Sequence, residues 1–208
     1  MRKHFAFALC FASLLLTSAL ATAQTSSLNG AGNGAGTGPA RGIGATIADF
    51  TLVDADGQQK TLASLKGTNG TVLVFLSTRC PVVKAYNERI EQLAKTYKAK
   101  GVNVIGINAN SNEPADEIKS HASAHYTFPV LIDKGNKIAD RLGAEHTPEA
   151  FLLDAANKLV YHGRIDNNRD PAMVQKADLA DAIDAVLAGK PIAASETAAF
   201  GCTIKKIY

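Results

Sequence analysis

Cys80 and Cys202 carry the chemistry this chain has to offer. Cys80 follows the apolar run Thr71-Val72-Leu73-Val74-Phe75-Leu76 after a short link, Ser77-Thr78-Arg79, and is followed at once by Pro81 and an amphipathic pattern. That order reads as a buried strand delivering a thiol to the first turn of a helix. A helix N-terminus favours negative charge, so a thiol there ionises more readily, and the thiolate is the reactive form of sulfur. Arg79 beside it and Lys84 one turn on add positive charge. Pro81 suits the first helical position, where its missing N–H costs nothing, although it also withholds one donor from the sulfur. A buried structural thiol is the competing reading, since free cysteine is often buried. The helix start and flanking charges favour an accessible, acidified Cys80.

Cys202 stands in Phe200-Gly201-Cys202-Thr203-Ile204-Lys205, beyond the last helical pattern. In an oxidising compartment it can pair with Cys80, as a structural bridge or as a redox couple, or it can stand unpaired in a solvent-exposed tail, and all three readings stand. Asn108, Asn110 and Asn112 offer amides near the sulfur or, equally, serve the turn they form. His121 and His125 share a helix face by their spacing of four, but no third ligand stands nearby and His-Glu-x-x-His is absent. They read as a polar solvent face rather than a metal site. Arg164 and Asp166 read as a structural ion pair.

The elements that position these groups follow from periodicity. Phe50 to Val53 alternates as a short strand and turns at Asp54-Ala55-Asp56-Gly57. Val83, Tyr86, Ile90, Leu93 and Tyr97 mark one face of a helix that stops near Gly101. Val102 to Ile107 is an apolar strand expected to lie parallel to the first, Pro114 to His125 a helix, Phe128 to Ile132 a third strand, and Asn136 to Leu142 a short helix closed by Gly143. Glu149 to Leu153 and Lys158 to His162 form a hairpin around Asp154-Ala155-Ala156-Asn157. Asp178 to Leu187 is the last helix, with Ala182, Val186 and Leu187 inward. This alternation predicts an α/β sheet with parallel crossovers and an antiparallel edge. Sites in such sheets form at the carboxyl ends of the parallel strands, which places Cys80 and the Asn108 loop on one rim.

Together these pieces resemble the thioredoxin-like superfamily in its AhpC/TSA, or redoxin, branch, over roughly residues 43–188. Ile43-Gly44 through Asp49-Phe50-Thr51-Leu52-Val53-Asp54 is similar to the opening segment of redoxins, with Ala48 where the family usually carries proline. Thr147-Pro148 resembles the family's cis-proline beside the active cysteine, and an X-Pro bond is the kind that adopts the cis form readily. Cys80 lies five residues after Phe75, as the attacking cysteine of a thioredoxin Cys-x-x-Cys does, while Val83 holds the second cysteine's place. Ser77-Thr78-Arg79-Cys80-Pro81 lacks the leading proline of the peroxiredoxin Pro-x-x-x-Thr-x-x-Cys pattern. The chain thus resembles a peroxiredoxin-like group with its cysteine at the thioredoxin first-cysteine position.

The resemblance implies a thioredoxin-like α/β fold, a central mixed sheet with helices on both faces. It implies a thiol-disulfide oxidoreductase in which Cys80 attacks and Thr147 and Pro148 shape a docking edge; Cys202, in place of the partner missing at Val83, is the candidate resolving cysteine, and Arg79 and Asn108 are candidate substrate contacts. The alternatives are a peroxiredoxin-type thiol peroxidase, with Cys80 oxidised to a sulfenic acid that Cys202 condenses with, and a non-catalytic binding module with a permanent bridge. The implied partners are a protein or small-molecule disulfide, or a peroxide, and a thiol electron donor. No cofactor or metal is called for.

The whole chain sets the context. Residues 1–23 read as a secretory leader: a basic start at Arg2, Lys3 and His4, an apolar run from Phe5 to Leu16, and small residues at Ala21-Thr22-Ala23. The run is short of the about 20 residues a membrane span needs. Export across the inner membrane into the periplasm, with no membrane attachment after cleavage, is the expectation; Cys10 would leave with the leader. Residues 24–44, rich in Gly, Ala, Ser and Thr, read as a flexible linker, 45–190 as one redoxin domain, and 191–208 as a tail carrying Cys202. A formal charge of +3 without a basic cluster argues against nucleic acid as a partner.

Overall fold

The structure, a computed structural model, describes residues 42–207. The expected leader, Cys10 and the linker as far as residue 41 lie outside the described residues. In chain order the elements are β1 (Thr51–Asp54), β2 (Gln59–Thr61), α1 (Leu62–Leu65), β3 (Gly70–Leu76), α2 (Pro81–Lys98), β4 (Val102–Asn108), α3 (Ala115–His125), β5 (Val130–Ile132), α4 (Lys137–Leu142), β6 (His146–Thr147), β7 (Glu149–Asp154), β8 (Leu159–Gly163), α5 (Asp178–Leu187) and β9 (Cys202–Thr203).

The principal sheet runs β2-β1-β5-β4-β3-β7-β8. β5, β4 and β3 are parallel, and β1 and β7 flank them antiparallel. Every residue of β3 is buried, because the strand is central and covered on both faces, which is why its sequence is a continuous apolar run rather than an alternation. The pleat then divides its side chains. Val72, Val74 and Leu76 pack with Val83, Tyr86 and Ile90 of α2, Ile118 of α3, and Leu179, Ala182 and Ile183 of α5. Leu73 and Phe75 pack on the other face with Leu62 of α1 and Ile138, Ala139 and Leu142 of α4. The expected mixed sheet with helices on both faces is the one that forms.

Two strand starts and the inner face of the last helix differ most from the sequence reading. Phe128 is outside the strand, because Pro129 has no N–H to give the ladder; its carbonyl still accepts from the Gly106 N–H at 2.9 Å, and Phe128 stacks on Tyr126 instead. Phe50 precedes β1, and its carbonyl accepts from Leu62 rather than from a strand neighbour. The inner face of α5 is Leu179, Ala182 and Ile183, with Val186 and Leu187 half-buried at its margin.

Beyond α5 the chain returns across the sheet. Ser195 and Thr197 clasp the free edge of β8, where His162 N–H donates to Ser195 O at 2.9 Å and Thr197 N–H donates to His162 O at 3.0 Å. The chain then crosses the rim and forms β9, antiparallel to β6. Ile204 follows, sunk at 3% exposure into the core face that holds Phe75.

Candidate functional site

Cys80 is the residue immediately before α2, with extended backbone (φ −74°, ψ 119°) and Pro81 in the first helical position. The turn that carries it from β3 is held by two side chains. Ser77 Oγ accepts from Cys80 N–H at 3.1 Å and from Arg79 N–H at 3.3 Å. Glu113, buried ahead of α3, accepts from Thr78 N–H at 2.8 Å, from the Ser77 hydroxyl, and from the Asn108 amide at 2.6 Å. One carboxylate thus locks the loop before the cysteine to the end of β4. Replacing it strands three donors in a buried site, and an unpaired buried donor costs far more than a made bond returns. Glu113→Ala is expected to cost about 2–4 kcal/mol of stability in urea unfolding, and Glu113→Gln, which keeps one acceptor oxygen, distinctly less.

Cys80 and Cys202 are joined in a disulfide, their Cα atoms 5.9 Å apart and their positions separated by 122 residues. The pairing follows from the register of the small sheet: Thr147 sits opposite Cys202 and His146 opposite Thr203, and Ile204 N–H donates to Glu145 O at 2.9 Å. Thr147-Pro148 is a cis peptide bond, and the Thr147 carbonyl oxygen lies 3.2 Å from Cys80 Sγ. The rim thus brings together Cys80, Cys202, Thr147 and Pro148. Gly201 makes the approach feasible, since a Cβ there would lie 2.1 Å from Thr147 O.

Several expectations need correcting. Cys80 is not accessible: it is 2% exposed, because the returning tail covers it, while Cys202 is half-buried. Asn108 does not turn its amide toward the sulfur; it is 2% exposed and its donor is spent on Glu113. Asn110 links Leu76 O to Lys205 N–H, and Asn112 is exposed. Arg79 is committed to Glu117 by two nitrogens, at 2.7 and 3.0 Å, rather than to the sulfur. The guanidinium, with the Thr78 hydroxyl, holds the Glu117 carboxyl down at about 2. Arg164 and Asp166 do not pair: Arg164 binds Asp178 at 2.7 Å, and Asp166 accepts from Tyr86 at 2.6 Å and from Arg89 at 2.5 Å. His121 contacts Asn87 at 3.2 Å, and burial, then His125, lower its pKa. Among the described residues no group of three or more His, Cys, Asp or Glu is placed to hold a metal ion.

Ser77, Glu113 and Glu149 are the site residues that sequence reasoning missed. Glu149, 3% exposed, accepts from the N–H groups of Glu145 and His146 at 2.8 and 2.7 Å and contacts His162 Nε2 at 2.6 Å, and so shapes the β6 edge from below. Burial pushes its carboxyl up, but the hydrogen bonds from His162 and the two backbone N–H groups outweigh it and leave the pKa below its ordinary value. A carboxylate depressed on folding contributes stability that is complete above its unfolded pKa and is lost as pH falls through the lower folded value. Thermal unfolding followed from neutrality into acid is expected to show a shallower acid decline for Glu149→Gln, with about 1–2 kcal/mol lost at neutral pH.

Residues 43–162 match the model of the AhpC/TSA family. Over 119 residues the chain is 34% identical to the thiol-disulfide oxidoreductase ResA of Bacillus thuringiensis (strain Al Hakam), a match covering 57% of this chain and 67% of that one. The crystal structure of a hypothetical protein from Sinorhizobium meliloti 1021 superposes with a TM-score of 0.74 at 36% identity, covering 80% of this chain and 95% of that chain. A candidate thiol:disulfide interchange protein DsbE from Chlorobium tepidum shares the fold at 23% identity, with a TM-score of 0.58, covering 70% of this chain and 98% of its own.

Proposed function

Since the chain belongs to the AhpC/TSA family, we propose that it is a thiol-dependent oxidoreductase that exchanges disulfides through Cys80 and resolves them with Cys202. The observation that carries this reading is the bridge itself, made between the helix-start cysteine and a second cysteine held against the residue before the cis-proline. Val83, fully buried, fills the position of a Cys-x-x-Cys partner, so the second thiol is supplied by the tail instead.

In the reduced protein the Cys80 thiolate attacks one sulfur of a substrate disulfide. A Cys80–substrate disulfide forms, and the other substrate sulfur leaves as a thiolate. Cys202 thiolate then attacks Cys80 Sγ, re-forming the intramolecular bridge and releasing the second substrate thiol. The substrate gains two electrons and the cysteine pair loses two; a thiol donor returns them. The start of α2 stabilises Cys80 as attacking and as leaving thiolate.

We place the reaction outside the inner membrane, in the periplasm, on the leader-like residues 1–23 and on a disulfide that suits an oxidising compartment. No helix among the described residues is long and apolar enough to cross a membrane. The test is stoichiometric. Reduced protein mixed with a disulfide substrate is expected to regain the Cys80–Cys202 bridge while releasing substrate thiols. Rapid oxidation by hydrogen peroxide, with no reaction toward disulfides, would instead support the thiol peroxidase.

A further inference from the structure

Most hydrogen bonds of the tail around Cys202 are made by its main chain. Upstream, Gly201 lies flat on the Thr147 carbonyl, and Phe200 meets the Tyr86 ring edge-on at 6.1 Å. Downstream, Ile204 N–H donates to Glu145 O, Lys205 N–H donates to Asn110 Oδ1 at 3.0 Å, Ser111 N–H donates to Lys205 O at 2.8 Å, and Ile207 N–H donates to Asn136 Oδ1 at 2.8 Å. The groove therefore reads main-chain groups of an extended segment, which is how strand addition recognises a peptide. Phe200 on Tyr86 and Lys206 Nζ donating to Asp140 at 2.8 Å add side-chain contacts, and two positions are restricted by shape. No Cβ fits before the cysteine, because Thr147 O is in the way, and an aliphatic residue two positions after it fills the core socket that Ile204 occupies.

We propose that this groove is a docking site for an extended polypeptide segment of the form Gly-Cys-x-aliphatic, and that residues 200–207 are its tethered occupant. The inference rests on the exchange reaction proposed above and names its substrate class, a cysteine in a protein strand rather than a free small thiol. Tail and partner occupy the same edge of β6, so they exclude one another. A tethered segment competes at an effective concentration in the millimolar range, so the partner gains Cys80 by strand exchange.

The test uses the full chain with Cys202→Ser, alone and combined with Gly201→Val, which forces the tail off Thr147. The probe is a synthetic peptide copying residues 200–207 whose cysteine carries thionitrobenzoate. Attack by Cys80 thiolate forms the Cys80–peptide disulfide, breaks the peptide–thionitrobenzoate bond and releases coloured thionitrobenzoate anion. In the double variant the peptide is expected to react at least about tenfold faster than in Cys202→Ser alone. It is also expected to outpace, by about tenfold, both the same peptide with valine for its glycine and glutathione carrying thionitrobenzoate. Ile204→Asp with Cys202→Ser frees the groove by a different route and is expected to behave alike. Equal rates for all three probes in both freed variants would overturn the docking site while leaving the exchange reaction intact. Release from no probe in any variant would overturn both.

Discussion

Cys80→Ser is expected to abolish disulfide exchange, a loss on the order of a thousandfold or more, while Cys202→Ser stops the cycle halfway. The two differ because the two sulfurs do different work. A serine hydroxyl is not ionised at neutral pH and does not attack disulfides, so nothing replaces the sulfur at the start of α2. Without Cys202 the first attack proceeds, but no thiolate stands opposite Thr147 to resolve the product. A Cys80–substrate disulfide is expected to accumulate to one equivalent and then persist, visible as a single mass increment on the intact protein. Turnover of Cys202→Ser at the full rate without added thiol would remove Cys202 from the mechanism, and exchange surviving in Cys80→Ser would remove the mechanism.

Reduction of the bridge is expected to be the largest single loss of stability open to this fold without a change in sequence. Joining positions 122 residues apart restricts the unfolded chain, and the loop-entropy relation gives about 5 kcal/mol for a loop of that size. For a domain of this length that corresponds to a fall in Tm of roughly 10–20 °C. The main-chain bonds of the tail to Glu145, Asn110 and Asn136 do not depend on the sulfurs, so reduction should leave the native fold of the domain, with the tail now held reversibly and Cys80 uncovered each time it lifts. Calorimetry with and without reductant checks this. Cys202→Ser should match the reduced protein and be indifferent to reductant, whereas a reduced protein that melts where the oxidised one does would mean that the bridge does not constrain the chain.

The parts of the fold legible in sequence are those set locally. The unbroken apolar run of β3 announces a strand covered on both faces, and Gly101 and Gly143 mark helix ends that the structure keeps. The Asp154–Asn157 turn is readable because Asp and Asn hydrogen-bond their own backbone, as Asp154 does to the N–H groups of Ala156 and Lys158. What failed depends on distance along the chain. Arg164 and Asp166 look like partners because they are two apart, but their partners lie on α5 and α2. Glu113 reads as a polar loop residue, since the donors that bury it come from Ser77 and Thr78, more than thirty positions earlier. The flanking residues gave grounds for a reactive Cys80, but not for its covering, which comes from a segment at the other end of the domain. Gly201 stands next to Cys202 in the sequence, but its meaning appears only when Thr147 is set against it.

The most direct measurement is a redox titration of the full chain under native conditions, with alkylation of free thiols and mass mapping at each potential. Cys80 and Cys202 are expected to become alkylatable together, in one two-electron step under mild reduction, and to be protected again together when a disulfide substrate is added. A bridge that stays closed until the protein is denatured, or a Cys80 that remains unmodified once reduced, would contradict the account and leave the sulfurs as a structural clamp.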